Sequence, residues 1–213
     1  MTIETLLQNH SALTACRDAI ESARDLLIDT YRAGGKLLLC GNGGSAADCD
    51  HIAGELLKGF LSHRPLSEED CMALADTLPD GEADPDLYLL AGQLQGGLPA
   101  VSLPAQTAAV TAVCNDTDPA LIFAQLVWAL GRAGDTLVCL STSGNSRNVV
   151  LAAKAARAKG MAVLALTGEN DSRLSELADV TVQVPAADTY RVQEYHLPVY
   201  HYLCAAVEEA FFG

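Results

Sequence analysis

Leu37-Leu38-Leu39-Cys40-Gly41-Asn42-Gly43-Gly44-Ser45, continued by Ala46-Ala47-Asp48-Cys49-Asp50-His51-Ile52-Ala53-Gly54-Glu55, is the stretch that decides the fold. An apolar run of strand length breaks into a Gly/Asn/Ser loop, and a helical pattern starts directly beyond it. Backbone N–H groups freed by the glycines then sit at a helix N-terminus, where they form a seat for an anion. On that helix His51 and Glu55 are four apart and share one face. Each feature has a plainer reading beside the functional one. A glycine-rich strand-to-helix turn can be a tight connection only, and a His/Glu pair at this spacing is also what a solvated helix face carries.

A second loop of the same kind shifts the balance. Asp135-Thr136-Leu137-Val138-Cys139-Leu140 runs into Ser141-Thr142-Ser143-Gly144-Asn145-Ser146, and a helical pattern follows from Arg147, with Ser146 placed as its cap. Two such loops in one parallel sheet open on the same edge, at the carboxyl ends of the strands, where ligands bind in open α/β folds.

These loops, Gly41 to Ser45 and Ser141 to Ser146, together with Gln193-Glu194-Tyr195-His196 near the end, resemble the sugar isomerase (SIS) domain. Within it the chain is similar to the bacterial sedoheptulose 7-phosphate isomerases, also called phosphoheptose isomerases. The similarity covers nearly all of the chain, read as one domain over 1–213, except Leu66 to about Gly97. The expected fold is a three-layer α/β sandwich with a roughly five-stranded parallel sheet, flavodoxin- or Rossmann-like, and a long N-terminal helix.

Composition bounds the function. Half of the 213 residues are apolar, which gives one large core without staples. The formal net charge of −14 excludes non-specific nucleic-acid and anionic-membrane binding, so a phosphorylated ligand has to be held by local donors. No apolar run reaches the length of a membrane span, and Met1-Thr2-Ile3-Glu4 lacks the layout of a secretory signal. The seven cysteines are scattered singly, two of them (Cys40, Cys139) inside apolar strands, as expected of small buried hydrophobes in a reducing compartment. The expected location is the cytoplasm.

Taken in order, Ile3 to Ala33 carries apolar positions at helical spacing, as one long helix or two, ended by Gly34-Gly35. Its apolar surface exceeds what one sheet face needs, so it is expected to pack against another subunit. Leu66 to Gly97 holds many carboxylates and no Lys or Arg, and reads as an acidic insertion (66–97) with two short helices, Ser67 to Asp76 and Asp86 to Leu94, joined by turns through Asp80-Gly81-Glu82-Ala83-Asp84. A solvated excursion is the plain reading of it; a lid or subunit contact is the other. Pro99 to Leu103, Thr136 to Leu140, Ala162 to Leu166 and Val180 to Val184 follow as strands, with helices over Asp118 to Leu130 and Ser146 to Ala158 and a short one over Ser172 to Ala178. A terminal helix begins near Arg191 and carries Pro198, with an expected kink or break in its first turn. Gln193 and His201 are about 80° apart on an ideal helix.

Aldose–ketose isomerisation needs a base for the proton next to the carbonyl and an acid or electrophile at the oxygens; one carboxylate and one imidazole suffice. The resemblance implies Glu55 and His201 as that pair. It also implies that His51, Glu55, Gln193 and His201 can hold one zinc ion per subunit, a donor set of two imidazoles, a carboxylate and an amide oxygen. For the phosphate it implies Ser141, Thr142, Ser143 and Ser146, and for the sugar Asn42, Gly43, Ser45, Asn115, Asp116 and Gln193. The implied assembly is a homotetramer with sites at subunit interfaces. Where such isomerases commonly carry an Arg soon after the helix glutamate, this chain reads Leu56-Leu57-Lys58-Gly59-Phe60. A non-catalytic SIS-fold regulator that binds phosphosugars is the competing reading; it needs the serine loop but not the Glu55/His201 pair.

Overall fold

The computed structural model describes residues 1–77 and 85–213. The turns expected at Asp80 to Asp84 lie outside them.

Strands β1 (Leu37–Gly41), β2 (Ala100–Ser102), β3 (Thr136–Leu140), β4 (Ala162–Thr167) and β5 (Val180–Gln183) form one all-parallel sheet in the order β2-β1-β3-β4-β5. Because parallel strands are covered on both faces, they read as continuous apolar runs, and β1 and β3 are buried at every position. Side chains alternate between two cores. Leu37, Leu39, Val138, Leu140, Leu164 and Leu166 face one layer. Leu38, Cys40, Leu137, Cys139, Val163 and Ala165 face the other.

The first layer is built from α1 (Ile3–Asn9), a 3-10 turn (Ser11–Cys16), α2 (Arg17–Arg32), α3 (Gly44–Leu57) and the 24-residue α9 (Thr189–Phe212). The long N-terminal helix is present, preceded by a break at His10. Polar Asn9, His10 and Ser11 are weak helix formers, and the chain leaves the helical region there. Its apolar positions Leu6, Leu13, Ile20, Ala23 and Leu27 are buried in the chain's own core, so most of the surface expected to meet another subunit is used at home. α9 starts two residues earlier than expected and remains helical through Pro198. The second layer holds α6 (Thr107–Asp116), α7 (Ile122–Leu130) and α8 (Arg147–Ala158), with α7 and α8 packed on each other.

Two expectations need correction. Ser172 to Ala178 is a run of turns rather than a helix: Ser175 Oγ donates to the Ser172 carbonyl, and the backbone N–H groups of Ser172 and Ser175 donate to each other's hydroxyl oxygens. Short hydroxyl side chains here satisfy the backbone in a way that competes with the helix. Ser146 stands at the N-cap of α8, yet its side chain makes no capping bond.

The 66–97 segment forms α4 (Glu68–Ala75), opened by a Ser67/Asp70 capping box, and α5 (Pro85–Gln93). Neither helix contributes a buried side chain. Pro65 and Gln95 pair in an antiparallel bridge, and Gly96 N donates to the Arg64 carbonyl, so the excursion leaves and rejoins the domain at one point. At the amino ends of the strands, Thr30 and Thr136 hydroxyls share a 2.6 Å hydrogen bond, and Lys36 Nζ meets Asp135 at 2.6 Å.

Candidate active site

The sheet order places β1 next to β3, with β2 outside β1 and β4 beyond β3. Chain direction across the sheet therefore reverses between β1 and β3, and the crevice beyond their carboxyl ends is where open α/β sheets bind ligands. Both loops of interest open there, since Gly41 pairs with Leu140 at the last register position.

The two loops are tied together. Asn42 and Asn148 exchange side-chain amide hydrogen bonds of 2.9 and 2.8 Å. Ser45 and Ser141 are buried, Thr142 and Ser146 half-buried, and Asn42, Gly43 and Ser143 exposed. Ser141 Oγ donates to Ser146 Oγ at 3.2 Å, and Ser143 Oγ accepts from the Asn145 N–H. The serine loop is pinned from below: Ser141 N donates to the Leu166 carbonyl, and Gly168 N to that of Thr142. Gly144 adopts φ +64° with the Ser172 side chain where a Cβ would stand, so only glycine fits. Hydroxyls and first-turn N–H groups of α8 thus face the crevice without any Lys, as a phosphate seat in an acidic protein requires. Arg191 is engaged with Glu194 at 2.6 Å, and Lys58 Nζ donates to the Gly59 carbonyl.

About two to three turns along α3 from the first loop, α3 and α9 bring the ionisable groups together. His51 Nε2 lies 3.1 Å from Glu55 Oε1. The His201 ring stands edge-on to that of His51, with centroids 5.0 Å apart. Burial, with the neighbouring His51, pushes the His201 imidazole below its ordinary pKa against the opposing pull of Glu55. Phe60 lies against His201 at 5.6 Å. Gln193 is placed elsewhere on the rim: its amide covers Gly44, whose missing side chain leaves the room, since a Cβ there would fall 2.6 Å from Gln193 Nε2.

Asn115 and Asp116 form the exposed last turn of α6, bonded to each other at 2.7 Å. Among the described residues no hydrogen bond links them to either loop.

The fit to zinc is incomplete. Among the described residues no three His, Cys, Asp or Glu side chains are gathered closely enough to hold a metal ion. His51 and Glu55 engage each other and Gln193 lies over Gly44. The implied donors are of suitable type but form no ready cradle.

Three residues that sequence reasoning passed over belong to this site. Tyr200 OH contacts His51 Nδ1 at 3.0 Å and donates to Asp48 Oδ1 at 3.2 Å. Burial raises the Tyr200 phenol far above its usual value, and burial likewise raises the Asp48 carboxyl. The third is Arg64, fully buried, whose guanidinium donates to the Glu55 and Leu56 carbonyls and to Glu208 Oε1. Asp48 had a signal in its spacing, three residues before His51; Tyr200 in an apolar helix reads only as core.

The fold and the site together define a SIS domain. SIS domain models match residues 88–206 and 4–86. Phosphoheptose isomerase of Rhodospirillum rubrum is 39% identical over 195 residues, covering 92% of this chain and 87% of that one. That of Akkermansia muciniphila is 35% identical over 208 residues, covering 98% and 94%. The solved phosphoheptose isomerase of Neisseria gonorrhoeae superposes with a TM-score of 0.74 at 33% identity, over 97% of this chain and 94% of that one. The chain belongs to the phosphoheptose isomerase family of SIS-domain proteins.

Proposed function

We propose that this chain interconverts sedoheptulose 7-phosphate and D-glycero-D-manno-heptose 7-phosphate through an enediol(ate). The observation that carries the reading is the grouping of Glu55, His51 and His201 in a chain whose two anion-seating loops meet at the sheet's reversal point. The phosphate rests on Ser141, Thr142, Ser143 and Ser146, while Asn42, Gly43, Ser45 and Gln193 face the sugar hydroxyls. Glu55 takes the proton from the carbon beside the carbonyl and returns it to the neighbouring carbon. His201, half-buried and with its pKa lowered by that burial, moves the oxygen-bound proton between the two oxygens of the enediol. Asn115 and Asp116, exposed on α6, are assigned to the sugar of a neighbouring subunit.

Incubation with a panel of ketose phosphates, followed by NMR, tests the activity. Glu55→Gln and His201→Ala are each expected to lower kcat at least about a hundredfold while phosphosugar binding is kept. Full activity in both would overturn the mechanism, and thermal stabilisation by phosphosugars with no isomer formed would make the protein a regulator.

We further propose a homotetramer in the cytoplasm. α6 has no buried side chain, and Leu121, Trp128 and Leu130 are exposed, an unusual apolar surface for a monomer. No helix among the described residues is long and apolar enough to cross a membrane. A monomer in sedimentation at micromolar concentration would refute the assembly. Zinc at His51, Glu55, Gln193 and His201 would occupy the lone pairs of Glu55 and His201, which takes the acid/base pair out of play. Dialysis against a chelator is therefore expected to leave turnover intact.

A further inference from the structure

Resting on that reading of the site, we propose that Tyr200 is a positioning residue for the isomerisation: its hydroxyl, backed by Asp48, holds the His51 ring so that Nε2 faces Glu55. The contacts run in an unbroken line. Asp48 Oδ1 lies 3.2 Å from Tyr200 OH, which lies 3.0 Å from His51 Nδ1, and His51 Nε2 lies 3.1 Å from Glu55 Oε1.

The two ends of this line differ in rigidity. The side chain of His51 is 43% exposed, so packing alone leaves its ring free to turn over and exchange nitrogen for carbon at either partner. Tyr200 is 1% exposed. Its ring lies in the first-layer core together with Leu27, Ile52, Leu56 and Leu203 and stands edge-on to both imidazoles, with centroids 5.5 Å from His51 and 5.1 Å from His201. A fixed phenol bonded to an exposed imidazole transfers order from the core to the rim, and through Nε2 to the carboxylate. Asp48 supports the same function: its Oδ2 is buried with no hydrogen-bond partner among the described residues, an arrangement that costs stability, while its Oδ1 is the second partner of the Tyr200 hydroxyl. A catalytic carboxylate displaced by about an ångström loses much of its rate advantage, and substrate binding by the loops is unaffected.

Tyr200→Phe keeps the ring and removes only the hydroxyl. With sedoheptulose 7-phosphate as substrate, kcat is expected to fall about tenfold or more, with KM within about twofold. In 15N spectra of histidine-labelled protein, the His51 ring signals are expected to shift and broaden as the ring loses its fixed orientation. Asp48→Ala, which leaves the Tyr200 ring in place, should lower kcat in the same direction with KM unchanged. Wild-type kcat in Tyr200→Phe, or an unchanged His51 spectrum, would overturn the proposal. Glu55→Gln assayed alongside separates the two levels: if it remains fully active, the isomerase mechanism fails, whereas the His51 spectrum of Tyr200→Phe still decides whether the hydroxyl orders the ring.

Discussion

His196 shows how one residue in the helix that carries the site can serve structure alone. It is fully buried, its Nε2 meets the Thr167 carbonyl at 3.3 Å, and its Nδ1 has no partner among the described residues. Burial lowers its pKa from 6.5 to about 4, against the small opposing effect of the Thr167 carbonyl. The unfolded chain therefore binds a proton between those values that the folded chain refuses, and stability falls as pH drops through that window, by about 3 kcal/mol in full. Thermal midpoints from pH 7 to pH 4 should show this loss, and His196→Gln should flatten it. Sequence spacing left His196 and His201 as equal contenders; burial separates them, because an imidazole sealed against the end of β4 cannot reach a substrate, whereas His201 is half-buried beside His51.

At the scale of elements, the turn after α3 is held by a buried clamp. Glu208 accepts from the backbone N–H groups of Phe60, Leu61 and Ser62 and from Arg64 Nε, at 2.7 to 3.1 Å. Arg64 in turn grips the last carbonyls of α3 and lies over the Phe212 ring at 4.7 Å. Burial raises the Glu208 pKa, but those N–H donors and the guanidinium outweigh it, and the net value is depressed. Removing the carboxylate leaves a buried guanidinium unpaired, so Glu208→Ala is expected to cost about 3 to 5 kcal/mol, measurable by urea unfolding. The strands, both loops and α3, α8 and α9 were legible because an apolar run ending in Gly or Ser is a local signal. This clamp was not: its partners are 144 residues apart, and no spacing rule joins them. The Ser172 to Ala178 misreading has the opposite cause, since its apolar spacing was right and local hydroxyl bonding overrode it.

Across the whole molecule, sheet order was the feature least visible beforehand. β1, β3 and β4 carry similar apolar runs, and only tertiary packing sets β1 beside β3, which brings the two loops into one crevice. The acidic segment was visible from its composition, and the Pro65–Gln95 bridge explains how the fold tolerates it. Replacing residues 67–93 by an Asn-Gly turn should leave a folded domain whose thermal midpoint moves by less than about 5 °C. Loss of cooperative unfolding would show that the segment belongs to the core.

The Thr30–Thr136 and Lys36–Asp135 contacts sit at the amino ends of the strands, a sheet's length away from Ser141 and Gly41. Durability and the seating of an anion are thus written at opposite rims of one sheet. Selection or engineering can lengthen the protein's working lifetime at the lower rim without retuning what happens at the upper one.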